Sequence, residues 1–190
     1  MSELSDSYKG AADVIRRYWR MYGGLKSILY SPYAHLSLLL LIPTYRLWLS
    51  ERWWSMALSI LPSLLGFSLA GFAVFLAFGS DEFKRLIGGV DESRSATSSP
   101  FMSVASAFAH FVVVQVVALL FAICAEGLSK VPIVSDQWLG SVENWMRMLG
   151  WGFGFWLFLY AICLAVAALF AIFRAASWFD AFLSNHKNGR

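Results

Sequence analysis

Charge is what this sequence has least of. Asp, Glu, Lys and Arg make up 14% of its 190 residues, while 58% are hydrophobic; a soluble domain carries about 25% charged residues. Three long stretches, Trp54–Phe78, Phe101–Ala125 and Trp151–Phe173, hold none of the four. Their missing carboxylates argue against a proton-coupled transporter, which needs an ionisable acid within its spans. The two cysteines, Cys124 and Cys163, stand alone in apolar runs without a C-x-x-C pair, which argues against disulfide transfer and for buried structural thiols. The three histidines, His35, His110 and His186, fall in separate segments. The chain carries no H-E-x-x-H zinc motif, Walker A loop or G-x-S-x-G elbow. No residue pair therefore supports an enzyme, a metal site or a cofactor. The first strongly apolar stretch begins near Leu36, too far along the chain for the h-region of a cleavable signal peptide.

What is present is hydrocarbon-compatible helix. With a mean hydropathy of +0.60, the chain reads as one all-α membrane domain. At about 1.5 Å per residue, each uncharged run is long enough to cross about 30 Å of hydrocarbon. A fourth and weaker segment, Tyr33–Leu49, contains the run Leu36–Ile42, then Pro43 and Arg46. Charge bias decides how to read it. With four spans, Lys9, Arg16, Arg17, Arg20, Lys26, Lys84, Arg85, Arg94, Arg174, Lys187 and Arg190 share one side, leaving Arg52, Lys130 and Arg147 opposite. With three spans this asymmetry nearly vanishes. The positive-inside rule thus favours a bundle of four transmembrane helices, near 33–50, 54–78, 101–125 and 149–173, with both termini cytoplasmic. On this reading, residues 1–31 form a basic amphipathic segment, 32–174 the membrane domain and 175–190 a cytoplasmic tail. The alternative for Tyr33–Leu49 is a re-entrant helix. Arg46 lies near the outer interface, within reach of water or Glu51, with Trp48, Trp53 and Trp54 as interfacial anchors.

Outside the spans, Tyr8–Leu29 places Ala11, Val14, Ile15, Tyr18, Tyr22, Leu25 and Leu29 at helical spacing, with Gly23–Gly24 as a break. Arg16, Arg17, Arg20 and Lys26 fit either an interfacial helix on anionic lipid or a sensor for an anionic ligand. Ser80–Ile87 reads as a short capped helix, and Asp91–Pro100 as a loop. Ser135–Met148 reads as an amphipathic stretch lying flat on the outer surface, and the last span runs on through Asp180.

Few polar groups remain inside. His110 shares a helical face with Ser103, Ser106, Val114 and Val117, and an intramembrane histidine marks either a functional site or a hydrogen bond between helices. Gln115 points elsewhere and suits an interhelical hydrogen bond. Small residues form stripes: Ser63, Gly66, Ala70 and Gly71 in the second span, and Ala161, Ala165 and Ala168 in the fourth. Such stripes allow close packing within the chain or between copies of it. Pro62 predicts a kink.

The segment Leu61–Gly79, LPSLLGFSLAGFAVFLAFG, together with Ser80–Phe83, the string SPFM at Ser99–Met102 and Ala109–Phe111, resembles small bacterial membrane proteins associated with anti-phage defence, the membrane effectors of Hailong-type systems. The resemblance spans roughly residues 55 to 125. It implies a homo-oligomeric channel controlled by an oligonucleotide from a nucleotidyltransferase partner. Ser103, Ser106 and His110 would then face a pore, Val114 and Val117 would form a hydrophobic constriction, and the basic N-terminal segment would receive the signal. The competing expectation is a non-conducting accessory or scaffold subunit that docks a cytoplasmic partner. A lipid-modifying enzyme would need polar residues clustered at one leaflet, and four spans scatter Arg46, His35 and Glu51.

Overall fold

The computed structural model describes residues 2–49, 52–77, 87–88, 99–130 and 137–188. Ser80–Ile87, Asp91–Pro100 and Glu51 lie largely or wholly outside them. The described chain is helical, and three of its helices are long and apolar enough to cross a membrane.

Helix α1 (Ser2–Tyr22) ends at Gly23, whose φ of 98° is left-handed, and α2 (Gly24–Leu29) begins in a new direction. The glycine pair supplies backbone angles that a side chain would resist. Ser31 then takes an extended conformation, and Pro32 opens α3 (Pro32–Leu41) with its ring-fixed φ. At ten residues, α3 is about 15 Å long, half of a hydrocarbon core. Its buried side is small: Ala34 and Ser37 let it pack closely on the last helix. The chain turns at Ile42–Thr44 into the single-turn α4 (Tyr45–Trp48). Two side chains satisfy carbonyls freed by that turn: Thr44 Oγ1 donates to Leu40 O at 2.6 Å, and Trp48 Nε1 to Leu41 O at 3.2 Å. A broken helix can sit at membrane depth only when its carbonyls find such donors. Tyr33–Leu49 is thus two short helices around a capped turn. Arg46 Nε donates to Tyr45 Oη at 3.1 Å.

Helix α5 (Trp53–Ala77) is continuous through Pro62. It buries Trp54, Ala57, Leu61, Ser68 and Phe75, a spacing of three, four and seven that keeps one seam toward its neighbours. Helix α6 (Pro100–Ser129) starts on Ser99, whose side chain accepts from Met102 N at 3.3 Å, with Pro100 at the first helical position. It packs against α5 and the last helix, α7 (Gln137–Asn188).

Helix α7 has 52 residues, about 78 Å of rod. The stretch expected to lie flat, Ser135–Met148, instead runs from Gln137 directly into the span. An apolar repeat near 3.6 residues is the same for a helix lying flat and for one that continues. The expected run through Asp180 is present. α7 is the core of the bundle, burying nearly every side from Phe155 to Ala161 between α3, α5 and α6. Gly154 makes this possible at one end: a Cβ there would lie 2.6 Å from both Phe121 and Trp53. Trp53 in turn stacks edge-on against Trp54 and Phe155. Cys163 is buried, whereas Cys124 is exposed on α6, contrary to the expectation of two buried thiols.

Candidate functional site

Two buried polar residues of α6, five positions apart, bond to neighbouring helices. Gln115 Nε2 donates to Ser68 Oγ on α5 at 2.8 Å, with both residues buried. This is the interhelical bond its sequence suggested. Its Oε1 is buried without a partner among the described residues.

His110 is more elaborate. Its Nδ1 lies 2.8 Å from the Tyr18 hydroxyl on α1, and its Nε2 lies 3.1 Å from the Tyr160 hydroxyl on α7. A neutral imidazole satisfies both, accepting one O–H and donating its own N–H to the other hydroxyl. The Tyr22 ring stacks on the imidazole at 3.8 Å between centroids and 15° between planes. Tyr160 also stacks on Trp156. A histidine 2% exposed therefore joins the amphipathic helix to the two central helices of the bundle. Burial pushes the Tyr18 hydroxyl up to about 12, with Tyr160 adding to the shift. Tyr22 is pushed up further, first by burial and then by Tyr160. Both stay protonated and able to donate.

Tyr18 and Tyr22 occupy one face of α1 at i and i+4. The sequence displayed that spacing, but tyrosine at a membrane surface is equally at home among lipid headgroups. Nothing in the pattern pointed to His110 as their partner, or to Tyr160, fifty positions further along the chain.

The five residues read as pore-facing occupy different environments. Ser106 is buried and its Oγ donates to Ser103 O at 3.0 Å. Ser103 is exposed, His110 is enclosed by the tyrosines, Val114 is buried and Val117 is 44% exposed. Ser106 also lines a groove of about 350 Å³ beneath α1, with Arg17, Tyr18 and Met21 across from it. The basic residues likewise separate. Arg16 and Arg20 are on the open face of α1, Arg16 pairing with Asp13 at 3.3 Å, while Arg17 borders that groove and Lys26 lies beyond the glycine break.

The small residues divide as well. Ala161 and Ala168 are buried in the core, and Ala165 is half-buried. Gly66 and Ala70 face outward, with nothing near the position a Gly66 Cβ would take. They belong to a longer exposed row on α5: Ser59, Ser63, Gly66, Ala70, Ala73 and Ala77, spaced alternately by four and three. Gly71, by contrast, faces Phe108 and Ile172. Among the described residues, no three His, Cys, Asp or Glu side chains come together as a metal site. No protein-family model, curated protein or solved structure matches this chain.

Proposed function

We propose that this chain is a channel or pore-forming effector of a bacterial inner membrane, assembled from several copies and held shut in the conformation described. The observation that carries the reading is the docking of α1 on His110. That contact covers the polar face of α6 with a helix that itself carries the basic residues. An anionic ligand, such as an oligonucleotide made by a nucleotidyltransferase partner, engages Arg16, Arg20 and Lys26 and draws α1 away. Ser106 and His110 are then bared to water. A ligand shifts such an equilibrium only by its preference for the undocked state. His110 and Ser106 are already paired inside one protomer, so conduction needs an interface between copies. The exposed small-residue row of α5 suits that role, because it lets two backbones approach closely. In this reading Tyr33–Leu49 completes a fourth crossing, with α3 and α4 stacked through their capped turn, and both termini are cytoplasmic.

The test is ion flux from liposomes holding the purified protein, with oligomeric state measured alongside. His110→Ala and Tyr18→Phe should raise leakage without ligand, and Gly66→Leu should reduce both assembly and flux. A strictly monomeric protein that stays silent in all these variants overturns the proposal. A second reading rests on Val14 and Ile15, 69% and 63% exposed beside the arginines of α1. Such a face suits a non-conducting scaffold that docks a cytoplasmic partner, and it predicts a stable hetero-complex in native mass spectrometry.

A further inference from the structure

A second concavity, of about 490 Å³, lies where α2 and the start of α3 meet α6 and α7. That is within the range of about 300–1,000 Å³ typical of small-molecule sites. Its two ends differ in chemistry. Along α6 and α7 the wall is apolar, formed by Phe111, Leu164 and Phe170 among small alanines. At the other end are Ser27, Tyr30 and Arg174.

Arg174 is the first charged residue after the uncharged run Trp151–Phe173, so its guanidinium sits where hydrocarbon gives way to headgroups. One of its faces lies over the Trp178 ring at 5.6 Å. Among the described residues it pairs with no carboxylate. The groove opens sideways: Phe170 is 56% exposed and Tyr30 81% exposed. A cation with hydroxyl donors above an apolar trough complements an amphiphile with an anionic head. A free phosphate or nucleotide would meet the arginine but leave the trough empty. A neutral lipid would fill the trough but leave the arginine unanswered.

From this complementarity we infer that the groove between α2–α3 and α6–α7 binds one anionic phospholipid, its phosphate forked by Arg174 and one acyl chain laid along Phe111, Leu164 and Phe170. Guanidinium matches phosphate through two parallel hydrogen bonds, and Ser27 and Tyr30 add hydroxyl donors. The site is separate from Arg16 and Arg20 and does not depend on whether the protein conducts. Tyr22 forms part of its rim and also stacks on His110, so a lipid seated there would buttress the docked α1.

Native mass spectrometry of delipidated full-length protein in detergent tests this, titrating phosphatidylglycerol, diacylglycerol with the same chains, and glycerol 3-phosphate. The expected result is one phosphatidylglycerol per protomer, bound about tenfold more tightly than diacylglycerol, as one charge-assisted pair allows, with no retention of glycerol 3-phosphate. Arg174→Gln should bring phosphatidylglycerol down to the diacylglycerol level. Ala107→Phe, which fills the trough, should weaken both lipids, and Arg16→Gln should weaken neither. Arg174 is exposed, so its replacement leaves the fold intact, as unchanged helical circular dichroism would verify. Equal retention of the two lipids by the unaltered protein, an unaffected Arg174→Gln variant, or glycerol 3-phosphate binding as tightly as the lipid would each overturn the inference.

Discussion

Two regions of the bundle are held together by different physics. In one, Phe121 and Trp53 close on Gly154, with Trp54 and Phe155 against Trp53, and the contacts are almost wholly apolar. In the other, His110 is gripped by Tyr18, Tyr22 and Tyr160 through hydrogen bonds and one closely stacked ring. Ring packing of the first kind belongs to spanning helices that have nowhere else to go. Bonds of the second kind recruit α1, a helix able to exchange those partners for water and headgroups. One region is built to stay and the other to let go.

Substitutions should separate the two. Gly154→Val puts a branched side chain where even a Cβ is 2.6 Å from two rings. Overpacking of this kind costs about 1–3 kcal/mol, and thermal unfolding in detergent should show the whole bundle destabilised with α1. His110→Ala should be smaller and local. It strands the Tyr18 hydroxyl, at about 1–3 kcal/mol if that stays buried, while Tyr160 keeps Tyr22 and Ser31 as partners; undocking α1 lets Tyr18 escape to water. Hydrogen exchange should therefore show α1 losing protection while α5, α6 and α7 keep theirs; equal loss everywhere would mean that the two regions are not independent.

Alkaline pH should act on the same region. Free tyrosine ionises near 10.0, whereas docked Tyr18 ionises near 12. Undocked α1 therefore gives up its proton first, so docking is fully favoured below pH 10 and weakens as pH climbs through about 12. Tyrosinate absorbance followed together with α1 protection should show the two changing together, and Tyr18→Phe should remove part of the late-titrating signal. Gln115→Leu, between His110 and Phe121 on α6, should have the smallest effect. It deletes the bond to Ser68 along with a carbonyl oxygen that had no partner; measured bonds of this kind average about 0.6 kcal/mol. A double-mutant cycle with Ser68→Ala should give a coupling of that order and leave α1 protection unchanged.

Much of this architecture is legible in the residues. The three uncharged runs became α5, α6 and the middle of α7, because none of them carries a charge and each is long enough to span. Gly23–Gly24 announced the break after α1, and Gln115 its neighbour-seeking amide. The rest depends on facts that a single helix does not carry. Tyr18 and Tyr22 satisfy an interfacial pattern whether they meet lipid or His110. Gly152 and Gly154 are small residues in the last helix whose partners, Trp48 for one and Phe121 with Trp53 for the other, lie on separate helices. The small row on α5 was half visible as Ser63, Gly66 and Ala70, while Ser59, Ala73 and Ala77 join it only once the burial of Trp54, Leu61 and Phe75 fixes which way the helix faces. Arg174 read as one more inside charge until the groove gave it an apolar companion.

The length of α7 has a mechanical consequence. A bilayer with its headgroups is about 40–45 Å thick, so a helix about 78 Å long leaves roughly 33–38 Å outside. Its central part is clamped on several sides by α3, α5 and α6. A rod held at its middle is a lever, and small changes in its angle within the lipid sweep its free ends through much larger arcs.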